Sequence, residues 1–363
     1  MSTENSIQEP PAYPGDWKGG VDEYLREHDI IATKVTPLEG GTSCYLWRLD
    51  GLKDAECSPQ STPLSKPAVL KCADSVAKGG PVAVDPNRLQ TEVKALRSTA
   101  VAEACSQEPS VQVVSVLRET HNGIIMSWAG DTDLRNLYKT DTSTDFSIIG
   151  ERLGKWLAFL HLAGIASGPG ELDSRHETLE KLFSGPGGME EQAIKSALCA
   201  EDDIERVLKL SRTPSLVQTV TPWDFRPSNI VLSVPREEEA LPVMTVVDWE
   251  LCHYGDPIND LRMWVAEVII MEAQHGNRGL VSSFLAAYKT HAGSSIIDRN
   301  FIRKVAVAVG VFLLYFIGQG AELWGFTEKD SQEWTGKAIE YLKAGADDNV
   351  AWLSQSPLKP LMD

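Results

Sequence analysis

The first 130 residues alternate between short apolar runs and polar or glycine-bearing turns, a pattern typical of β-structure. Ile31–Val35 and Cys44–Leu49 are two β-prone runs that a glycine-bearing turn would join into a hairpin. A compact strand is predicted at Ala68–Cys72. A helix is predicted to begin at Asp85-Pro86, because Asp can cap free N–H groups and Pro suits the first helical position.

A second hairpin is predicted in the same part of the chain. Its strands would be Val111–Arg118 and Ile124–Trp128. Between them, Asn122-Gly123 supplies the positive φ angles that a tight turn requires. The N-terminal region should therefore be mostly β-structure with one helix.

Beyond Gly130 the hydrophobic period becomes helical. In Asp145–Ala163 the apolar residues step by four and three, which places them on one face of a helix. His161 on this helix is expected to be a hydrogen-bonded core residue and not a base. Helices should resume from Asp256, a predicted N-cap, to about Leu353. Three short β-prone runs interrupt the helical pattern: Val220–Trp223, Asn229–Ser233 and Met244–Val247.

Composition and charge exclude several classes of partner. The chain has 34 Lys+Arg against 51 Asp+Glu, a net charge of −17, which is the wrong sign for binding nucleic acid or anionic lipid. The six cysteines lack metal-ligand spacing, and Met1–Gly20 lacks a signal-peptide pattern, so we expect a reduced, cytoplasmic protein. Val305–Ala321, the longest uncharged run, is short for a membrane span, so we expect a buried helix there and no membrane partner.

The length of 363 residues favours two lobes over one compact domain. We expect a flexible segment at 1–25, a β-rich N-lobe at 26–130 and a larger helical C-lobe at 131–355. A C-terminal tail would follow at 356–363. The N-lobe should carry nucleotide binding, and the C-lobe the catalytic loop and the acceptor site.

Asp224, Asn229 and Asp248 form the most informative spacing in the chain. Asp224 and Asn229 share the segment Thr221–Leu232, and Asp248 ends a downstream Val-Val-Asp run. Phosphoryl transfer from a nucleotide needs a carboxylate that orients the attacking hydroxyl, and oxygen ligands that hold Mg²⁺ against the phosphates. A loop followed by a hairpin that returns Asp248 beside the other two would supply these groups.

This spacing resembles the protein-kinase-like superfamily, in which a catalytic loop Asp-x-Lys/Arg-Pro-x-Asn precedes a metal-binding Asp. The resemblance implies an α+β, two-lobed fold with a small β-rich N-lobe and a larger, mainly helical C-lobe. It also implies a glycine loop over the phosphates, a strand lysine on the α/β-phosphates, a helix glutamate that holds the lysine, and a hinge against the adenine. In that order the matching residues are Gly40, Gly41, Thr42 and Ser43, then Lys71, then Glu92, then Met126, Ser127 and Trp128.

Each of these N-terminal features also has an ordinary structural interpretation. A Gly-Gly pair is more often only a turn, a strand lysine is usually solvated, and a helix glutamate usually faces water. Their joint order ahead of Asp224, Asn229 and Asp248 favours the functional interpretation.

Within the superfamily the chain resembles small-molecule kinases of the aminoglycoside phosphotransferase and choline kinase type. Asp248-Trp249-Glu250 replaces the Asp-Phe-Gly of protein kinases, and Gly255–Leu261 matches a Gly-Asp-Pro-x-x-Asp-Leu motif whose aspartate braces the catalytic loop in that family. The run Asp248–Gly255 is also similar to fungal hydroxytryptamine kinase and to methylthioribose kinase. One departure is Pro222, where the family commonly has histidine.

We therefore expect transfer of the γ-phosphoryl group of ATP, with Mg²⁺, to a hydroxyl of a small metabolite. Asp224 would accept the proton of the hydroxyl, and Arg226 would offset charge on the transferring phosphate. Asn229 and Asp248 would hold Mg²⁺, with Glu250 as a further ligand. A non-catalytic nucleotide-binding pseudokinase or scaffold is the alternative.

The acceptor is the least constrained part of the prediction. Glu267 and Glu272 would either set a negative field that favours a cation or belong to a solvated helix face. Four aromatic residues would either wall an amine pocket or pack in the core: Trp264, Tyr315, Phe316 and Trp324. We expect an amino alcohol or a hydroxylated aromatic amine ahead of a neutral sugar such as methylthioribose. The sequence leaves the oligomeric state open.

Overall fold

The computed structural model describes residues 20–39, 41, 43–53, 64–79, 84–85, 87–172, 183–233 and 242–363, except for the side chain of Ala321. The chain divides into two compact units. One comprises Met1–Leu96 and Val114–Ala129, and the other comprises Arg97–Val113 and Gly130–Asp363. The segment Arg97–Val113 thus belongs to the second unit, although it precedes the last strands of the first.

The helices and strands are numbered here in chain order. The strands are β1 (Lys34–Pro37), β2 (Tyr45–Asp50), β3 (Ala68–Cys72), β4 (Val111–Val113), β5 (Val116–Thr120), β6 (Gly123–Ser127), β7 (Thr132–Asp133), β8 (Thr219–Thr221), β9 (Ile230–Ser233), β10 (Val243–Val246) and β11 (His253–Gly255). The helices are α1 (Val21–Glu27), α2 (Arg88–Leu96), α3 (Thr99–Gln107), α4 (Leu134–Thr140), α5 (Phe146–Ser167), α6 (Met189–Ala197), α7 (Glu201–Ser211), α8 (Ile258–His275), α9 (Leu280–Ala292), α10 (Arg299–Gly318), α11 (Gly320–Leu323), α12 (Glu328–Ala346), α13 (Val350–Leu353) and α14 (Lys359–Met362).

The N-terminal unit is built on a five-stranded antiparallel sheet in the order β1-β2-β3-β6-β5. Buried and half-buried residues alternate along β2, as expected for a strand with one face on the core. Helix α2 begins at Arg88, three residues after the predicted N-cap Asp85, whose Oδ1 accepts the N–H of Asn87 at 2.8 Å. Pro86 lies outside the described residues.

The second predicted hairpin is present but differs in two respects. Thr120 pairs with Gly123, so the two-residue loop is His121-Asn122 and not Asn122-Gly123, and Asn122 carries the positive φ of 55°. The apolar run at Val111–Val113 does not join this hairpin. It forms β4, which pairs in parallel with β10 of the C-terminal unit. A β-prone run predicts a strand but does not specify its partner.

The C-terminal unit is mainly helical. Asp145 caps α5 by accepting the N–H of Ser147 at 3.0 Å, and the predicted apolar face of α5 is buried. Helices α5 and α9 lie so close that a Cβ on Gly154 would overlap the carbonyl oxygen of Phe284. Helix α10 is long and apolar enough to cross a membrane, but 67% of its most apolar stretch is buried inside the protein. The expected buried helix is confirmed.

Two small sheets interrupt the helices and position the candidate catalytic residues. One has the strand order β4-β10-β9-β7, and its antiparallel β9–β10 pair is the predicted hairpin. The other pairs β8 with β11, a strand beyond the three predicted runs. Asp224 follows β8, Asn229 directly precedes β9, and Asp248 lies just after β10. The sheets therefore bring three separate chain segments to one place.

A buried aspartate on α8 braces the loop between β8 and Asp224. Asp260 Oδ1 accepts the N–H of Trp223 at 2.7 Å, and Oδ2 lies 3.0 Å from Nε2 of His161. The other ring nitrogen of His161 lies 2.7 Å from the hydroxyl of Tyr288 on α9. The Asp260, His161 and Tyr288 side chains are inaccessible to solvent, so the expectation that His161 is a hydrogen-bonded core residue is confirmed.

We predict that Asp260→Ala lowers the free energy of unfolding by at least about 1–3 kcal/mol, because it leaves the buried N–H of Trp223 without an acceptor. Asp260→Asn should cost less, since its amide oxygen can still accept that N–H and its NH₂ group can donate to His161. Denaturant unfolding of both variants measures the difference. Equal stability of Asp260→Ala and the wild type would contradict the bracing role.

Candidate active site

Lys71 and Glu92 form a buried ion pair in the N-terminal unit. Lys71 lies on β3 and Glu92 on α2, and Nζ is 2.7 Å from Oε2. Both side chains are at most 5% exposed. The interpretations in which this lysine is solvated and this glutamate faces water are therefore wrong. A buried pair with good geometry holds the ammonium in one position, as a phosphate-binding lysine requires.

An arginine that the sequence analysis did not single out holds the turn between β1 and β2. Arg88 is buried, and its Nη2 donates to the backbone carbonyl of Ser43 at 2.8 Å. Gly41 in the same turn has a φ of 69°, a region that favours glycine. Gly40 and Thr42 lie outside the described residues. Arginine in a first helical turn is usually solvated, so no sequence signal marks this one.

The predicted hinge residues lie at the end of β6. Met126 is buried in the sheet. Ser127 Oγ accepts the N–H of Ser115 at 2.9 Å, and the guanidinium of Arg48 lies 4.5 Å from the centroid of the Trp128 ring. The role of these residues toward a nucleotide stays a prediction.

Asp224 is held from two sides in the C-terminal unit. Arg226 Nε lies 3.1 Å from Oδ1, and Asn229 Nδ2 donates to Oδ2 at 2.8 Å. The same Nδ2 also donates to the Asp224 carbonyl at 3.0 Å. A 3₁₀ turn at Pro227–Asn229 brings Asn229 back to Asp224. Both carboxylate oxygens thus have a basic or amide nitrogen beside them, which fixes the orientation of the group.

The surroundings of Asp224 shift the pKa of its carboxyl group. Burial raises the pKa of Asp224 to about 6, while the Arg226 charge opposes this shift and the Asp248 charge adds to it. The Asp224 carboxylate in turn raises the pKa of Arg226, and Glu267 and Asp248 act in the same direction. A carboxyl group with a pKa raised toward neutrality is suited to accept a proton from a hydroxyl.

Asp248 lies just after β10 in an uncommon backbone conformation, with a φ of 66°. The N–H of Val247 donates to the carbonyl of Asn229 at 3.0 Å, which joins the two segments that carry the candidate metal ligands. Carboxylate oxygens of Asp248 and Glu250 lie within 4.8 Å of each other. Together with the amide oxygen of Asn229, these are the hard oxygen donors that Mg²⁺ prefers, so the residues present fit the ion.

A second ion pair, between Arg135 on α4 and Glu267 on α8, is also buried on the glutamate side. Arg135 Nε donates to Glu267 Oε1 at 2.7 Å, and the Arg135 guanidinium lies 4.8 Å from the Trp324 ring centroid. Glu267 Oε2 is buried and has no hydrogen-bond partner within the described part of the chain. Arg135 was not singled out in the sequence.

The structure excludes a solvated helix face for both candidate acidic residues on α8. Glu267 is fully buried, and Glu272, at 8% exposure, accepts the N–H of Val281 at 3.1 Å. A sequence signal for this burial existed, because the polar residues of α8 do not gather on one face and so mark no solvated side of the helix. Among the four candidate aromatic residues, Trp264 and Phe316 are fully buried core residues.

Comparison with known proteins shows the family of the chain. The chain matches the phosphotransferase enzyme family (APH) over residues 76–300, more than half of its length. No curated protein sequence matches the chain.

The chain is similar to solved structures of small-molecule kinases at low sequence identity. The microcompartment-associated aminopropanol kinase has a TM-score of 0.52 at 13% identity, over 94% of this chain and 99% of that chain. ADP-bound aminoglycoside phosphotransferase APH(2'')-Ib has a TM-score of 0.49 at 13% identity, over 91% and 99%. Ethanolamine kinase from Plasmodium vivax has a TM-score of 0.44 at 13% identity, over 86% of this chain and 81% of that chain. The expected kinase-like α+β fold is confirmed, and the chain belongs to the phosphotransferase enzyme family.

Proposed function

We propose that the protein transfers the γ-phosphoryl group of ATP, bound with Mg²⁺, to a hydroxyl group of a small amine. The arrangement of Asp224, Asn229 and Asp248 carries the proposal. One carboxylate is fixed at both of its oxygens, and the two candidate metal ligands sit on segments joined by a backbone hydrogen bond. Phosphoryl transfer depends mainly on such positioning and on charge neutralisation.

In the proposed reaction, Asp224 accepts the proton of the acceptor hydroxyl. As the hydroxyl oxygen bonds to the γ-phosphorus, the bond from that phosphorus to the β–γ bridging oxygen breaks and ADP leaves. The proton moves to a carboxylate oxygen of Asp224, and Arg226 offsets negative charge on the transferring group. Mg²⁺, when held by Asn229, Asp248 and Glu250, supplies neutralisation of the phosphate charge.

The N-terminal unit is assigned to nucleotide binding. Lys71 contacts the α/β-phosphates, and its ion pair with Glu92 fixes the direction of the ammonium. The turn that contains Gly41 and Ser43 covers the phosphates, together with Gly40 and Thr42. Met126, Ser127 and Trp128 contact the adenine. The buried Lys71–Glu92 pair is the observation that supports these assignments.

An amine is the acceptor group that the C-terminal unit favours. Glu267 Oε2, buried and without a hydrogen-bond partner among the described residues, is an acceptor that an ammonium group satisfies. The charge of Glu267 contributes to the raised pKa of Arg226, so Glu267 lies near the catalytic loop. Tyr315, which lies near enough to Arg226 to contribute to its raised pKa, borders a largely apolar cavity of about 730 Å³, which has room for an aromatic body.

These features favour a hydroxylated aromatic amine or an amino alcohol. The similarity of the run Asp248–Gly255 to fungal hydroxytryptamine kinase supports the first class. A neutral sugar such as methylthioribose is the second candidate acceptor, supported by the similarity of the same run to methylthioribose kinase, but it would bring Glu267 no cation beyond Arg135, which pairs with Oε1. In a non-catalytic nucleotide-binding protein, the paired donors would only stabilise the buried Asp224 carboxylate.

We predict that Asp224→Asn lowers turnover by about 10²–10⁴-fold, the range for removal of a positioned base. Nucleotide affinity should stay within a few-fold of the wild type. Asp202→Asn, at an exposed position on α7, is the matched control and should leave turnover unchanged. Steady-state kinetics with a turned-over acceptor measures both variants. Wild-type turnover by Asp224→Asn would refute the assignment of the base.

For the metal and nucleotide ligands, we predict losses of ATP-induced stabilisation. At an ATP concentration about 100 times Kd with Mg²⁺, the wild type should gain about 2.7 kcal/mol. Asp248→Ala should abolish the part of this gain that chelation with EDTA removes, and Lys71→Ala should reduce the total gain. Lys94→Ala, at an exposed position on α2, is the control for Lys71. Thermal unfolding curves measure these gains, and unchanged gains in both variants would place the nucleotide elsewhere.

The acceptor class is tested by competition between amines and pentoses on the unmodified enzyme. Amino alcohols and hydroxylated aromatic amines should be phosphorylated or should inhibit. Glu267→Gln should raise the KM for the amine about 10–100-fold, since a hydrogen bond to a charged group contributes about 1.5–3 kcal/mol. Phosphorylation of a neutral sugar without inhibition by any amine would exclude the amine.

A further inference from the structure

A second cavity lies in the C-terminal unit. Its volume is about 390 Å³, and its lining includes none of the five candidate catalytic and metal-binding residues. Trp223, Asp256, Arg262 and Lys304 are among the residues that form its wall. Nothing in the proposed reaction accounts for this cavity.

Arg262, on α8, is the unusual group in the wall. The residue is 4% exposed, and Nη1 donates to Glu190 Oε1 at 2.8 Å. Nε and Nη2 are buried and have no hydrogen-bond partner within the residues that the structure describes. The rings of Phe312 and Trp223 lie 4.7 and 5.4 Å from the guanidinium carbon. The aromatic rings pack over the guanidinium, and its Nε–Nη2 edge is left without a partner.

The Nε–Nη2 edge of Arg262 can donate two hydrogen bonds to one ligand. The N–H groups of Nε and Nη2 point in parallel, and a carboxylate or phosphate accepts both at once through two oxygens. A buried N–H group without an acceptor is uncommon in folded proteins, and two on one side chain call for a ligand. The chemical class that satisfies the edge is an oxoanion.

The other charged groups of the wall are already paired. Lys304 Nζ donates to Asp256 Oδ2 at 2.9 Å and to Ser215 Oγ at 2.7 Å. Arg212 forms an ion pair with Glu191. The lining contains three basic and two acidic residues, and Glu191, which pairs with Arg212, balances the third basic charge. An anion is favoured over a cation because the unpartnered groups of Arg262 are N–H donors, whose hydrogen bonding an anion completes.

We propose that this cavity binds a small oxoanion, a carboxylate or a phosphate, through the Nε–Nη2 edge of Arg262. The site is separate from the proposed active site and does not rest on the proposed reaction. Trp223 belongs to the cavity wall and directly precedes Asp224. The wall of the anion site therefore includes the residue next to the candidate base.

The test is calorimetric titration of the full chain with inorganic phosphate and, separately, with malonate. At least one anion should bind the wild type, and the tighter of the two assigns the ligand class. Arg262→Met should weaken that binding at least tenfold. Arg299→Met removes an exposed arginine from α10 and is the matched control, which should bind as the wild type does. Binding of neither anion, or wild-type affinity in Arg262→Met, would overturn the proposal.

A second variant keeps the test decisive if Arg262→Met does not fold. Ala308 on α10 lines the cavity, and Ala308→Leu fills part of it while Arg262 stays in place. Anion binding should be lost in this variant although no charge has been removed. Unchanged affinity in Ala308→Leu would show that the anion binds elsewhere, and the proposal would be wrong.

Discussion

The carboxylate of Asp260 is the interaction on which the C-terminal unit depends. It connects α8 to α5 through His161, to α9 through the hydroxyl of Tyr288 beyond it, and to the loop before Asp224 through the N–H of Trp223. Burial raises the pKa of Asp260, which shows how costly its charge is away from water. The hydrogen bonds to Asp260 offset this free-energy cost only when all of them are formed. The network that stabilises the helices therefore also fixes the position of the catalytic loop.

The backbone is strained at two residues of the candidate active site, and contacts with neighbouring residues compensate for this strain. Trp223 and Asp248 both have positive φ angles, a conformation that costs a residue with a side chain on the order of 1–3 kcal/mol. Trp223 is held by Asp260, and Asp248 lies between Val247, which is bonded to Asn229, and the fully buried Trp249. The surrounding packing therefore determines where the carboxylates of Asp224 and Asp248 stand, and their own conformational preferences do not.

The sequence was sufficient to predict the elements that neighbouring residues determine. The strand Ala68–Cys72 and the apolar face of α5 depend on neighbouring residues, and the kinase-like fold was implied by the family resemblance that Asp224, Asn229 and Asp248 carry. It was insufficient where a residue's partner is distant. Nothing near Val111–Val113 or Arg88 in the sequence indicates what they contact, because those contacts are set by tertiary packing. Glu267 is an intermediate case. The sequence of its helix indicates that the residue is buried but does not indicate that it pairs with Arg135.

The parallel pairing of β4 with β10 has a consequence for synthesis. Val111 faces Met244, so β4 emerges from the ribosome more than a hundred residues before its partner. At ordinary translation rates the interval is on the order of 10 s. During that time β5 and β6 can complete the first sheet, while the Val111–Val113 edge has no partner strand and is open to pairing with another nascent chain. Truncated forms that end before β10 would keep this edge permanently and should depend on chaperones to stay unaggregated.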